Sequence, residues 1–173
     1  MTKKGLNGGF TVIELFAVMV LIGILAATSY SRWFSGNSFE SSATVADIST
    51  VARLAQRIAL LRPGNVITLE VNQVAGNWQL AVMEDDGGTM TNLFQIDNDS
   101  GNAISVSGVT GPVTLSAVNN FVLNYDDLGN LSALSVGGLA LGATVGVAIS
   151  ISTDSPKVMC ISPVGFVHDG ACV

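Results

Sequence analysis

Basic residues nearly vanish after the first third of this chain: from Asn65 onward, Lys157 stands alone against ten acidic residues. Nucleic-acid affinity rests mainly on Lys and Arg neutralising phosphates, so nucleic acid is not an expected partner of this half. Its acidity reads as a solubility device. Histidine is reduced to one copy, His168. A Ser-His-Asp arrangement would depend on it alone, and its neighbours Asp169 and Gly170 read as turn residues, so no catalytic residue is assigned. Neither Gly87-Gly88 nor Gly137-Gly138 is followed by Lys, which removes a phosphate loop. There is no heptad array and no repeat of fixed period. Charged residues make up 12% of the chain and apolar ones 49%, a balance that excludes disorder. The two cysteines, Cys160 and Cys172, do not complete a structural zinc site even with His168 as a third ligand. No cofactor is expected.

What the chain does have is a distinctive N-terminus. Met1–Gly9 is short, polar and basic, with Lys3 and Lys4, and a nearly unbroken apolar run follows from Phe10 to Ala27. Carried on through Ser29, that run is about 20 residues, or about 30 Å as a helix, the hydrocarbon thickness of a bilayer. The positive-inside rule keeps Lys3 and Lys4 in the cytoplasm and places the rest of the chain on the other side. A secretory signal peptide is the alternative, with Ala26-Ala27-Thr28-Ser29 as its cleavage site. That reading leaves Glu14 unexplained. A carboxylate inside an apolar membrane segment costs on the order of 3 kcal/mol and asks for a partner.

The stretch Gly8-Gly9-Phe10-Thr11-Val12-Ile13-Glu14-Leu15 resembles the class III signal motif of type IV prepilins and type II secretion pseudopilins. The resemblance implies a leader at residues 1–9, cut after Gly9 by a membrane prepilin peptidase, and methylation of the new amine on Phe10. It implies that Glu14 is the assembly glutamate and that the chain is no enzyme. The expected partners are other pilin or pseudopilin subunits, the prepilin peptidase, an inner-membrane assembly platform and membrane lipid. The expected location is the bacterial inner membrane, single-pass with the C-terminal domain periplasmic, and then a pilus or pseudopilus. The charge logic suits the role: a free amine and Glu14 attract strongly in low dielectric, and each is costly unpaired. One feature departs from the family. Many pilins carry a Pro late in this segment, where this chain reads Thr28-Ser29-Tyr30-Ser31-Arg32.

Tyr30 and Trp33 stand where an aromatic belt would meet headgroups. Gly36-Asn37 interrupts the helical pattern, and Asn37 with Glu40 resembles a capping box for a restart. Val45, Ile48, Ala52, Ala55 and Ala59 then keep helical spacing. Arg53, Arg57 and Arg62 lie together on another face, as a solvated surface or as a contact to an acidic neighbour. Arg62-Pro63-Gly64 ends the helix. The expected fold class is α+β, pilin-like: a long N-terminal helix over residues 10–62, with 10–29 crossing the membrane, packed on an antiparallel β-sheet domain over 63–173.

Strand candidates are Val66–Val74, Trp78–Glu84, Met90–Ile96, Ala103–Val109, Val113–Val118, Phe121–Tyr125, Leu131–Val136, Thr144–Ser152 and Lys157–Ser162. Glu84-Asp85-Asp86 and Asp126-Asp127 read as solvated turns. Asp97-Asn98-Asp99-Ser100-Gly101-Asn102 offers clustered oxygens, so Asp97 and Asp99 are weak calcium candidates beside a polar-turn reading. Gly101 falls one position early for an EF-hand, and Gly108 stands where its Glu would be. Behind a membrane segment, Cys160 and Cys172 face an oxidising compartment, which favours a bridge over two free thiols. The tail, with Cys160-Ile161-Ser162-Pro163-Val164-Gly165-Phe166, is similar to the C-terminal end of GspH/FimT-like minor pilins and pseudopilins. It also resembles minor pilins of mannose-sensitive haemagglutinin-type systems.

Overall fold

The computed structural model of the chain describes residues 11–33, 36–108, 111–142, 146–152 and 156–172, with the side chains of 27–38 left aside. Contacts divide the chain after Gly36 into two units.

The first unit contains α1 (Val12–Trp33). Thr11 starts it: the backbone N–H of Glu14 is 3.0 Å from the Thr11 carbonyl and 3.4 Å from its hydroxyl. Thr11-Val12-Ile13-Glu14 is thus a capping-box sequence at the helix N-terminus. Val12, Ile13, Phe16, Met19, Leu21 and Ile22 are all exposed. Those positions run around the helix, so over its described side chains, up to Ala26, α1 has no polar face to give to water. A helix apolar on every side belongs in a core or a membrane.

The second unit is built on α2 (Gly36–Leu61). Its buried positions are Ser41, Thr44, Ile48, Val51, Ala52, Ala55 and Ala59. They recur every three or four residues, as one face of a helix must. The face is turned slightly from the expected one: Val45 sits at its margin, half-buried, and Val51 is inside. Two polar residues fit because they are bonded. The Thr44 hydroxyl is 2.9 Å from both the Glu40 carbonyl and the Ser100 hydroxyl. The three alanines, Ala52, Ala55 and Ala59, share the apolar core with the strand residues.

The strands are β1 (Val66–Val74), β2 (Asn77–Asp85), β3 (Met90–Asn98), β4 (Ala103–Gly108), β5 (Gly111–Thr114), β6 (Phe121–Tyr125), β7 (Leu131–Val136), β8 (Leu139–Leu141), β9 (Val147–Ser152), β10 (Lys157–Ile161) and β11 (Val167–Asp169). They form two antiparallel sheets where one was expected. The order is β3-β2-β1-β6-β7-β8 in the first and β11-β10-β9-β4-β5 in the second. The β1–β2 hairpin closes at Val74↔Asn77. Ala75 and Gly76 both take positive φ, 52° and 91°, the signature of a tight two-residue turn that matches strand twist.

Alternation puts Phe121, Leu123 and Tyr125 of β6 inward, and Val147, Ile149 and Ile151 of β9. These meet Ile48, Val51 and Ala55 of α2 in one apolar core. Fully burying each large side chain contributes about 1.5–3 kcal/mol. The helix and both sheets therefore stabilise one another.

Candidate assembly surfaces

Gly9 and Phe10, the expected cleavage and methylation positions, lie outside the described residues, as do the side chains of Tyr30 and Trp33. Glu14 is described, in the first turn of α1 and exposed. A negative charge there meets the positive end of the helix dipole, which lowers the cost of a carboxylate in an apolar helix. Among the described residues no helix is long and apolar enough to cross a membrane. The described side chains of α1 stop at Ala26, short of the roughly 20 residues that a crossing takes.

At the other end of α2, Gln56 ties two loops to the helix. Its side-chain amide donates to the Gly129 carbonyl at 3.1 Å and to the Val164 carbonyl at 2.9 Å. The β6–β7 turn is itself braced by Asp126. That carboxylate accepts from the backbone N–H of Leu128 at 2.9 Å, the backbone N–H of Asn130 at 2.8 Å and the Asn130 amide at 3.1 Å. Burial pushes the Asp126 carboxyl up, but these three donors outweigh it and hold it below the usual carboxylate range. The β10–β11 turn joins the same node through the Leu131 N–H, which donates to the Pro163 carbonyl at 2.8 Å.

Cys160 and Cys172 are bridged, with their Cα atoms 5.2 Å apart. The bridge fastens the segment after β11 onto β10, whose partners are β9 and β11. It packs over Gly146: a Cβ there would stand 2.9 Å from the Cys172 sulfur and 3.2 Å from that of Cys160. Asp169, expected in a turn, is in β11 and pairs with Met159, as His168 beside it pairs with Cys160.

Two charge assignments change. Glu84 is no solvated turn residue: it ends the inward series of β2 and is 7% exposed. Arg62 Nη1 forms an ion pair with its Oε2, and the Asn65 amide donates to its Oε1 at 2.7 Å. A buried carboxylate needs such partners. Arg62 is thereby separated from Arg53 and Arg57, which remain on the exposed side of α2. Asp97 lies in β3, not in an open loop, and its Oδ1 accepts from the amides of Gln79 at 3.1 Å and Gln95 at 3.4 Å. Among the described residues no group of three or more His, Cys, Asp or Glu is placed to hold a metal.

The roles of Thr11, Gln56, Glu84 and Gly146 were not read from the sequence. Thr11 was legible, since Thr-x-x-Glu before an apolar run is a capping signature. The other three owe their roles to residues far away in the chain.

No family model matches this chain, and no curated protein does. Among solved structures, the crystal structure of the type IV minor pilin FimU from Pseudomonas aeruginosa strain PAO1 is similar, with a TM-score of 0.50. The two are 12% identical, and the match covers 75% of this chain and 92% of that one. At that identity the likeness is one of fold. This chain has a pilin-like fold: N-terminal helices and antiparallel sheets.

Proposed function

We propose that this chain is a structural subunit of a type IV pilus or a type II secretion pseudopilus, and a minor one. It inserts into the bacterial inner membrane through its N-terminal segment, with the globular domain outside. A prepilin peptidase cuts after Gly9 and Phe10 is methylated. The processed subunit then passes to an assembly platform and joins other subunits. The observation that carries this reading is α1, apolar on every side with its described side chains exposed, carrying a single carboxylate, Glu14, in its first turn. Such a surface asks first for lipid and then for neighbouring helices. The amine of Phe10 in one subunit is the partner for Glu14 in the next. The pilin-like fold supports the same reading. So does the disulfide, which suits an oxidising compartment.

The test is Glu14→Val. Removing the carboxylate lowers the cost of insertion, so the variant should be inserted and cut as well as the wild type. It should then enter fibres poorly because the amine has lost its partner. Incorporation at the wild-type level would count against the charge pair.

A further inference from the structure

The edges of the two sheets are unequal. β5 has four residues, Pro112 among them, and β8 and β11 have three each. β3 runs for nine, Met90–Asn98, and pairs with β2 on one side only. Alternate residues of such a strand turn their N–H and C=O groups outward. Among the described residues, no hydrogen bond from a side chain or a loop reaches the backbone of Met90–Asn98. Proteins guard a long edge with Lys, Pro or a bulge, and residues 66–98 hold neither Lys nor Pro. The bulge is present: Val82 pairs with Phe94 and Met83 with Asn92, which leaves Leu93 as the extra residue. Pairing over residues 94–98 is regular. There Phe94 and Ile96 stand opposite Val82 and Leu80, whose side chains are buried, so they share the core-facing side of the sheet. Phe94 is nonetheless 38% exposed. Leu93, Ile96 and Ile58 of α2 are half-buried at the margin of the core. Helix α2 is held along this margin at two points, Asp47 to Asn98 and Arg62 to Glu84. An apolar ledge thus lies beside an open row of main-chain groups. Both ends of that row are acidic, with Asp85 and Asp86 before it and Asp97 and Asp99 at its far end.

We propose that the β3 edge takes up an extended segment of a different protein as an added strand. The segment is apolar at alternate positions, where it continues the ledge of Phe94 and Ile96. It carries Lys or Arg at its two ends, opposite the acidic pairs. A row of outward N–H and C=O groups is matched in register by another main chain, which makes the occupant an extended polypeptide. Charge decides which polypeptide. From Asn65 onward this chain's only cation is Lys157, so a strand from a second copy would set acid against acid. The carboxylates that admit a basic-ended strand therefore turn copies away. The full edge is about 30 Å long at about 3.4 Å per residue. This docking does not depend on the assembly-subunit reading.

The probe is a fluorescent synthetic peptide of about nine residues, matched to the edge, that alternates threonine and valine and has a lysine at each end. It is titrated into the full-length chain in detergent micelles and followed by anisotropy. Binding should saturate, and it should weaken roughly tenfold as salt rises from about 0.05 to about 0.5 M. Glutamate in place of both lysines should weaken it at least about tenfold. N-methylation of two consecutive central nitrogens blocks both edges of the peptide and should weaken it by at least as much. Amide hydrogen exchange of the bound chain should slow along Met90–Asn98.

Two variants extend the test. Asp97→Lys with Asp99→Lys removes the acid at one end of the edge and should shift the preference toward the glutamate-ended peptide. Phe94→Lys places a charge on the ledge, as guarded edges do, and should lose both peptides while its circular dichroism stays that of the wild type. Absence of binding, equal binding of the two peptides, or protection confined to residues outside β3 would overturn the proposal. So would a double variant that keeps the wild-type preference, or copies of the chain that pair with each other through β3. Failure of the peptide to bind a chain that is processed and built into fibres would sink this docking and leave the assembly reading standing. Binding to a chain that is never processed would do the reverse.

Discussion

Gly165 sits against the carbonyl oxygen of Gly129, with its own backbone at φ 76°, so a Cβ at 165 would run into that oxygen and into the Gln56 amide 2.7 Å away. Gly165→Ala is strained twice, by its backbone and by its neighbours. It should destabilise the domain by about 1–3 kcal/mol. Gln56→Ala should cost about 1 kcal/mol through its two lost hydrogen bonds. Because both act on the same node, the double variant should cost less than the sum. Urea unfolding of the full-length chain measures all three. Additive losses would mean that the node does not act as a unit.

The Cys160–Cys172 bridge spans a sequence separation of 12. Closing a loop of that size contributes roughly 3 kcal/mol in the chain-entropy view, a large share of a domain's typical 5–15 kcal/mol. Cys160→Ser and Cys172→Ser should each lower subunit abundance, with the double variant no worse than either. Gly146→Ala, which presses on the bridge from beneath, should lower the unfolding midpoint in the oxidised protein and less so in Cys160→Ser. An equal loss in both backgrounds would disconnect Gly146 from the bridge.

Glu84 and Arg62 make an unequal pair, one side chain 10% and the other 49% exposed. Solvent screens the Arg62 side, which keeps the pair's worth modest. Arg62→Ala leaves a buried carboxylate with only Asn65 and should cost about 1–3 kcal/mol. Arg62→Ala combined with Glu84→Gln should recover part of that, since the stranded charge is gone. If the second substitution makes matters worse, Glu84 is valued for its bond to Asn65 and not for the ion pair.

Tyr125 and Asp126 are adjacent and respond to pH in opposite ways. The Tyr125 hydroxyl is buried with no hydrogen-bond partner among the described residues. Burial pushes its ionisation far above the usual range. The unfolded chain then loses this proton first, so stability falls as pH rises above about 10. Tyr125→Phe should flatten that alkaline fall and raise stability near neutrality by about 1 kcal/mol. The Asp126 carboxyl is held low, so its contribution is present above about pH 4 and is lost as acid protonates it in the fold. Asp126→Asn should flatten the acid side. Unchanged pH profiles in both variants would refute the assignments.

Legibility in the sequence followed the range of the forces. The β1–β2 hairpin was readable because its turn lies between two alternating runs. Most of the α2 face was readable because its alanines and Ile48 repeat locally. The cysteine bridge followed from compartment logic. β8 and β11 were not found, because three residues are too few to show alternation, and pairing to longer strands makes them strands. The division into two sheets is a matter of which strand meets which, and no local pattern in β4 or β9 announces it. Glu84 was misread for the same reason: its partners Arg62 and Asn65 precede it by a whole hairpin arm, and acidic neighbours at Asp85 and Asp86 made it look like part of a turn.

The N-terminus of the mature protein decides between a processed assembly subunit and an uncut or signal-cleaved chain, and intact mass spectrometry of the chain purified from membranes reads it directly. The expected mass is that of a chain beginning at Phe10, heavier by one CH2 for the methyl group that replaces a hydrogen and lighter by two hydrogens for the Cys160–Cys172 bridge. Gly9→Val should leave the uncut precursor instead. A wild-type chain that keeps Met1–Gly9 and its lysines, or one cut near Ala27, would contradict the central claim.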